Sequence, residues 1–285
     1  MKKVAIVSDS SAYIPREYVE QYNLSIVPLT VNWKGETYYD GIDIQATDFY
    51  QQLAESKEMA TTSQVTVGQF LEVFQKLLSE GKDVLYLGIS KGLSATTDSA
   101  IQAKKELGDP QNLIVMDTKL VSMALTLQVL EVARAAEKGI TLEECYQLAQ
   151  DAYSRIGVYF TVNTLEYLHR GGRINTAKRM LGSALNLKPI MMIREGKIEL
   201  VESVRSYKKA LARMVELIEK DIDGRGPVRI GPFHALAFDE MVAMEEMAVE
   251  RLQPIEVIRS EVSPVIGSHV GPGTVSLAYI IDKQS

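Results

Sequence analysis

Short apolar runs rich in branched side chains alternate with segments of helical periodicity over the first half of the chain. Residues 4–7, 84–89 and 113–116 have the length and composition of buried strands, and segment 67–79 places its apolar side chains on one helical face. Short buried strands joined by helices favour parallel pairing, with helices on both faces of the sheet. The first half is therefore predicted to form a mostly parallel α/β sheet.

The second half of the chain has a different rhythm. Glu195 and Gly196 separate two apolar runs, which predicts an antiparallel hairpin of residues 189–193 and 197–204. This α+β pattern predicts an N-terminal α/β domain of residues 1–157 and a C-terminal α+β domain of residues 158–285. The other elements predicted here are strands at 159–162, 227–230, 255–260 and 275–281, and helices at 164–169, 206–221 and 239–252.

Composition excludes several classes of protein. The 285 residues are 46% hydrophobic and 24% charged, as in ordinary globular proteins. A net charge of −6 argues against a protein that neutralises nucleic-acid phosphates. No apolar run approaches the roughly 20 residues of a membrane span, and the N terminus does not resemble a signal peptide. Together with the single cysteine, Cys145, which favours a buried packing role, this predicts a cytoplasmic protein.

Four separated segments carry the candidate functional residues. They are residues 61–64 (TTSQ), 90–96 (SKGLSAT), 165–174 (LEYLHRGGRI) and 263–273 (SPVIGSHVGPG). Three are predicted hydroxyl- and glycine-rich loops, and free N–H groups at a helix start favour an anion. None contains a set of metal ligands or an obvious nucleophile–base pair. We therefore expect a site that holds a small anionic group without chemistry on it, and no metal.

Structural roles remain open for several of these side chains. Ser94 follows a predicted strand and opens a helix, so it could cap that helix or bind a ligand oxygen. Ser63 or Thr66 could likewise cap the helix that begins near residue 67. His269 lies in a predicted glycine-rich loop, where a buried structural role and donation to a carboxylate are equally open.

Two further groups of side chains have alternative interpretations. Arg170 suits the end of a short helix, whereas Arg173 lies beyond the two glycines, where a contact with a partner is plausible. Methionine and leucine are frequent between Met180 and Met192. Such residues usually fill a core, and they could also line an apolar tunnel.

Taken in order, the four segments resemble the DegV family of bacterial lipid-binding proteins, which includes the fatty-acid-binding subunits of bacterial fatty acid kinase. The resemblance implies two α/β domains with a long-chain fatty acid, such as palmitate, between them, its acyl chain in an apolar tunnel and its carboxylate facing hydroxyl groups. The similarity runs nearly end to end and also includes residues 8–10 (SDS), 28–31 (PLTV), 40–43 (DGID), 187–190 (LKPI) and 204–205 (VR).

The resemblance implies roles for individual residues near the carboxylate. Thr62 and Ser94 match its hydroxyl ligands, and His269 matches a neighbouring polar residue. Arg205 matches a basic position near the head group. Leu185 and Met191 become candidates for the acyl tunnel.

The loop that contains Arg170 and Arg173 matches a segment linked to kinase docking. Three positions depart from the family pattern. Val65 stands where a proline is usual, and Ala95 and Thr97 stand where glycine and tyrosine are usual; both hydroxyl residues are retained.

The function predicted from the sequence is a fatty acid carrier that presents the carboxylate to a separate kinase for acyl phosphate formation. The kinase must be another polypeptide because no GxxxxGK[ST] phosphate loop occurs in this chain. One alternative is a lipid reservoir or sensor without a kinase. Another is a hydrolase that uses Ser94 or Ser63, although neither serine lies in a GxSxG motif. No cofactor is expected besides the bound fatty acid.

Overall fold

The computed structural model describes residues 3–56, 58–174, 177–178 and 187–283. Its strands, numbered along the chain, are β1 (Val4–Asp9), β2 (Ser25–Val27), β3 (Thr30–Trp33), β4 (Glu36–Tyr39), β5 (Thr61–Ser63), β6 (Asp83–Gly88), β7 (Leu113–Asp117), β8 (Ile156–Thr161), β9 (Lys188–Arg194), β10 (Lys197–Val204), β11 (Val228–Ala235), β12 (Glu256–Val257), β13 (Ser260–Glu261) and β14 (Thr274–Ile281). Its helices are α1 (Arg16–Gln21), α2 (Ala46–Glu55), α3 (Val67–Ser79), α4 (Thr96–Glu106), α5 (Ser122–Glu137), α6 (Leu142–Tyr153), α7 (Glu166–Arg170), α8 (Tyr207–Ile222), α9 (Phe238–Leu252) and α10 (Pro264–Val270), with a 3-10 turn at Ser10–Ala12.

The predicted parallel sheet is confirmed. It has the strand order β2–β1–β6–β7, and every neighbouring pair is parallel. The carboxyl ends of β1, β6 and β7 therefore lie along one edge of the sheet, together with the segments that follow them. The edge of such a sheet is where α/β proteins commonly bind ligands.

A three-stranded antiparallel sheet, in the order β4–β3–β5, accompanies the parallel sheet and was not predicted. Residues 25–31, a run rich in β-branched side chains, form two strands, β2 and β3, which belong to different sheets. Pro28 lies between them, and its ring removes the N–H that a continuous strand would use. Residues 61–64 were predicted as a loop, but Thr61–Ser63 form β5, which pairs with β3.

The C-terminal half forms a mixed sheet in the order β10–β9–β8–β14–β11–β12, with β13 also pairing with β11. The predicted hairpin of β9 and β10 is confirmed, and Glu195 and Gly196 both have positive φ, as its tight turn requires. The central strand β14 runs antiparallel to both β8 and β11. The predicted change from a parallel to an α+β arrangement is therefore confirmed.

Helix α5 connects the two halves by packing against both large sheets. It contacts β1 of the parallel sheet and β8, β11 and β14 of the mixed sheet. One apolar core cluster includes side chains as distant in sequence as Val7 and Ile280. The predicted boundary after residue 157 falls inside β8, which begins at Ile156, and the division into two domains stays a prediction.

Residues 263–273 also differ from the predicted loop, because residues 264–270 form α10. The Ser263 hydroxyl accepts a hydrogen bond from the Ile266 N–H (3.3 Å), and Pro264 occupies the first turn, where its missing N–H costs nothing. Position 267 of this helix requires glycine, because a Cβ there would be 2.2 Å from the Tyr50 hydroxyl oxygen. Across the described ranges, no helix is both long enough and apolar enough to span a membrane.

Candidate ligand-binding site

A cavity of about 410 Å³ lies between the carboxyl edge of the parallel sheet, α10 and the mixed sheet. This volume falls in the range of roughly 300–1,000 Å³ that is usual for ligand sites. Its apolar lining consists of Leu29, Ile89, Leu93, Ala95, Val121, Val158, Phe160, Leu168, Ile193, Ile198, Phe233, Val262, Val265, Ile266 and Val270. Its polar lining consists of Thr62, Ser63, Gln64, Ser94, Ser122, Arg173, His269, Thr274 and Ser276.

The charge of the lining restricts what this cavity can hold. The described residues that line it include no Asp or Glu. Arg173 is the permanently charged cation among them. Apolar side chains make up most of the remaining wall. The cavity is therefore suited to a ligand that combines an apolar body with a polar or anionic group.

Two of the predicted site residues, Thr62 and His269, are in direct contact. Thr62 is the central residue of β5, paired with Val31, and His269 lies in the last turn of α10. Thr62 Oγ1 is 2.8 Å from His269 Nε2. The hydroxyl and the imidazole thus lie side by side, although 207 residues separate them in sequence.

The imidazole of His269 packs against the backbone of Gly171, where a Cβ atom would be 2.3 Å from Nδ1. Within the described part of the chain, this buried Nδ1 has no hydrogen-bond partner. Burial, and then the nearby charge of Arg173, lower the pKa of His269 to about 4. His269 is therefore uncharged at neutral pH.

Ser94 lies in the segment that follows β6. A chain of hydrogen bonds connects it to Val65, three residues after Thr62. Its Oγ is 3.0 Å from Thr96 Oγ1 and accepts from the Thr96 N–H (3.2 Å). Thr96 Oγ1 in turn accepts from the Val65 N–H (3.3 Å). A proline at position 65, which the DegV pattern leads us to expect, has no N–H to donate. This departure therefore adds a link between the two hydroxyl segments.

The alternative capping roles are resolved by these contacts. Thr66 caps α3, forming a reciprocal capping box with Gln69, so that Ser63 is not needed there. At α4 the cap position is Ala95, and no side chain caps it. Ser94 supports the first turn through Thr96 and also lines the cavity.

The two arginines of the glycine loop lie in different surroundings. Arg170 is exposed and pairs with Glu166 one turn earlier (2.6 Å). Arg173, for which the sequence favoured a contact with a partner, is half-buried and lines the cavity. Its Nε donates to the Leu93 carbonyl (3.1 Å) and its guanidinium also donates to the Gly171 carbonyl. These bonds hold Arg173 beside the segment that contains Ser94.

The remaining predicted residues do not line the described cavity. Arg205 is exposed, and Met191 is fully buried in β9 within the apolar core. Leu185 lies outside the described residues. Sequence reasoning missed Ile193 and Ile198, which face each other across the hairpin and both line the cavity. The sequence signal that identifies this pair is its position on either side of the predicted Glu195–Gly196 turn.

Two buried carboxylates support the site from outside the cavity. Asp9 accepts hydrogen bonds from the Ile89 N–H (2.9 Å) and the Tyr86 hydroxyl (2.7 Å), which fixes the start of the segment leading to Ser94. Asp40 accepts from the Ser10 hydroxyl (2.7 Å) and the Val265 N–H (3.2 Å), which holds the start of α10.

Burial raises the pKa of both carboxyl groups, that of Asp40 to about 7. Their hydrogen bonds agree with a structural role. In the described ranges, no group of three or more His, Cys, Asp or Glu side chains could hold a metal ion.

A family model described as "Uncharacterised protein, DegV family" matches residues 3–282 of this chain. A DegV domain-containing protein of Streptomyces coelicolor is 36% identical over 278 residues, which cover 97% of this chain and 98% of that protein.

Solved structures extend the comparison to the fold. A DegV family protein from Thermus thermophilus, described as fatty-acid binding, superposes with a TM-score of 0.92 at 32% identity, covering 98% of this chain and 100% of that one. DegV from Bacillus subtilis, described as a fatty acid binding protein, gives a TM-score of 0.90 at 29% identity, covering 99% and 100%.

Proposed function

This chain belongs to the DegV family, and we propose that its cavity binds a long-chain fatty acid and presents the carboxylate to a separate kinase for acyl phosphate formation. The observation that carries this proposal is the lining of the cavity. Its wall is mostly apolar, its polar groups include hydroxyls with a histidine and an arginine, and its described part has no acidic side chain. A fatty acid has the matching distribution of apolar and anionic surface.

The Thr62–His269 contact supplies a donor for the carboxylate. His269 is neutral at neutral pH, so only one of its ring nitrogens carries a proton. With the proton on Nε2, the imidazole donates to Thr62 Oγ1, and the Thr62 hydroxyl is free to donate to the ligand.

The acyl chain supplies most of the affinity in this proposal. A palmitate chain buries about 14 methylenes at about 0.8 kcal/mol each, on the order of 11 kcal/mol as an upper bound. A hydrogen bond to a charged group contributes only about 1.5–3 kcal/mol. Thr62, Ser94 and Arg173 therefore mainly orient the carboxylate and offset the cost of removing it from water.

The separate kinase follows from what phosphoryl transfer requires. A kinase needs a nucleotide site and usually Mg²⁺ ligands, and this sequence has no phosphate loop. Arg170 is exposed at the end of α7, three residues before Arg173, which itself reaches the cavity. We assign Arg170 to contact with the kinase and Arg173 to the boundary between that surface and the bound carboxylate.

Hydrolysis is disfavoured by the surroundings of His269. Its hydrogen-bonded neighbour is Thr62 rather than a serine, and Nδ1 has no carboxylate to orient the ring among the described residues. A pKa of about 4 also makes this imidazole a weak general base at neutral pH.

Mass spectrometry of lipid extracted from the purified protein tests the binding step. We expect long-chain fatty acid in about one copy per chain. Protein that carries no acyl chain after gentle purification, and that gives no heat with palmitate or stearate in titration calorimetry, would overturn the proposal.

Reconstitution with a fatty acid kinase and ATP tests the presentation step. We expect Arg170→Ala to reduce acyl phosphate formation and to leave fatty acid affinity unchanged. Arg16→Ala is the matched control, because Arg16 is another exposed arginine paired with a glutamate one turn away (2.6 Å). Equal turnover by Arg170→Ala and wild type would remove Arg170 from docking. Absence of turnover with any protein would favour a lipid reservoir.

A further inference from the structure

Ser122 is a polar residue that the proposed carboxylate site does not use. It is the first residue of α5, only 4% exposed, and it lines the cavity beside Val121. Its hydroxyl oxygen is buried and has no hydrogen-bond partner among the residues that the structure describes. A buried hydroxyl without a partner costs free energy, so its presence in the cavity wall requires an explanation.

The backbone at Ser122 has two further unusual properties. Its backbone φ of 54° lies in the left-handed region, which residues other than glycine and asparagine seldom adopt. Val121, at the cap position of α5, makes no side-chain hydrogen bond to the helix. The first turn is nevertheless buried, with Met123 and Ala124 almost fully inaccessible. The start of this 16-residue helix thus combines an uncapped end with backbone strain.

Such a helix start favours a hydrogen-bond acceptor. The first N–H groups of a helix and its partial positive charge attract oxygen atoms, and the Ser122 hydroxyl adds a donor at the same place. Another hydroxyl, that of Ser276, is contributed to the same cavity by β14. Ser276 is paired with Phe160 of β8 on one side and Phe233 of β11 on the other. Thr274, the first residue of β14, also lines the cavity.

The ligand oxygen that belongs here is neutral. An ionised carboxylate buried in an apolar wall needs a cationic partner, and Arg173 is the cation among the described lining residues. Arg173 is held next to Leu93, at the start of the Ser94 segment, where the proposed carboxylate site lies. A hydroxyl or oxo group has acceptor lone pairs and can be buried with one or two donors.

We propose that Ser122 and the start of α5 form a second polar subsite, which recognises a hydroxyl or oxo group on the chain of an oxygenated fatty acid. The inference rests on the proposed function, because it requires an acyl chain in the cavity. It adds to that function a preference among fatty acids, determined by an oxygen on the chain rather than by length alone.

Competition calorimetry with stearic acid and its monohydroxylated isomers, which differ in the position of the hydroxyl, tests this subsite. We expect wild type to bind one isomer, or a few neighbouring ones, about five-fold more tightly than isomers whose hydroxyl falls elsewhere, as one added hydrogen bond would give. Ser122→Ala should remove this positional preference.

Ser122→Gly is a second variant, because glycine adopts a φ of 54° without strain and also lacks the hydroxyl. Both variants should keep or raise the melting temperature of the ligand-free protein, since the deleted hydroxyl has no partner to lose in the part of the chain that the structure describes. The matched control is Thr161→Val, which deletes another buried hydroxyl without a partner in the described chain, on β8 and outside the cavity lining. Thr161→Val should keep the positional preference.

The outcomes separate this inference from the function on which it rests. Absence of binding by every fatty acid would overturn the proposed function. Binding of stearic acid and all isomers by wild type without positional preference would overturn only the second subsite. A preference that persists in Ser122→Gly would also overturn it and would assign recognition to another group, such as Ser276 or a bound water.

Discussion

The two parts of the cavity treat their hydroxyl groups differently. Around the proposed carboxylate site, Thr62 contacts His269 and Ser94 contacts Thr96. At the start of α5, the Ser122 hydroxyl has no partner within the described chain. Prearranged contacts fix the direction of a head group before the ligand arrives, whereas an unpaired group gains a bond only when a suitable ligand is present. The difference suggests that one part orients every ligand and the other distinguishes between ligands.

The largest expected effect comes from filling the apolar part. Ile193→Trp should weaken stearate binding about 100-fold, because displacing roughly four methylenes at about 0.8 kcal/mol each costs about 3 kcal/mol. Shorter acids should be affected less. Met192→Trp is the matched control. Met192 directly precedes Ile193 in β9 and packs against a second apolar cluster, which includes Ile190 and Met214. Calorimetry over a series of chain lengths measures both. An equal loss for short and long acids would contradict this role of Ile193.

A smaller loss is expected from removing the hydroxyls of the carboxylate site. Thr62→Ala combined with Ser94→Ala should weaken binding about 30-fold, because each bond to a carboxylate contributes about 1.5 kcal/mol or more and water replaces part of it. The loss should be similar for all chain lengths, in contrast to Ile193→Trp. Thr61→Ala is the control, since Thr61 is exposed and does not line the cavity. Unchanged affinity in the double variant would assign both hydroxyls to local structure.

Changing the support of His269 should have a smaller effect still. A Cβ at Gly171 would be 2.3 Å from His269 Nδ1 and 3.1 Å from the Tyr167 carbonyl, so Gly171→Ala should displace the imidazole and weaken binding about ten-fold. Gly172→Ala is the counterpart. Its Cβ would meet nothing described within 4 Å, but its φ of 72° is strained for alanine. Gly172→Ala should therefore lower stability without lowering affinity. The reverse pattern would contradict the proposed role of Gly171.

The smallest effect is a dependence of stability on pH that originates at His269. Its pKa is about 4 in the folded chain and 6.5 ordinarily, so the unfolded state binds more protons between these values. Stability should therefore rise with pH from about 4 to 6.5, and the contribution of this residue should be on the order of 1–2 kcal/mol. Urea unfolding of wild type and His269→Gln across this window measures the difference. A constant difference between the two proteins would contradict the assignment.

Local patterns predicted the parts of this molecule that depend on local chemistry. The parallel sheet, the β9–β10 hairpin and the helices of the second half follow from periodicity and turn residues. The α10 helix was missed because its glycines suggest a loop, and Gly267 is required by the distant Tyr50. The burial of Arg173 was missed for the same kind of reason, since its partner is the Leu93 carbonyl. Ser122 shows no sequence signal, because whether its hydroxyl meets a partner is decided by tertiary structure.

The packing of α5 against both large sheets has a consequence for how the chain unfolds. Because one apolar core extends from β1 to β14, the two halves have little opportunity to melt separately. A ligand that contacts walls from both halves binds only the folded state, in which those walls lie together. Its binding free energy then adds to the stability of the entire molecule and slows global unfolding, so that occupancy governs the lifetime of the protein as well as its cargo.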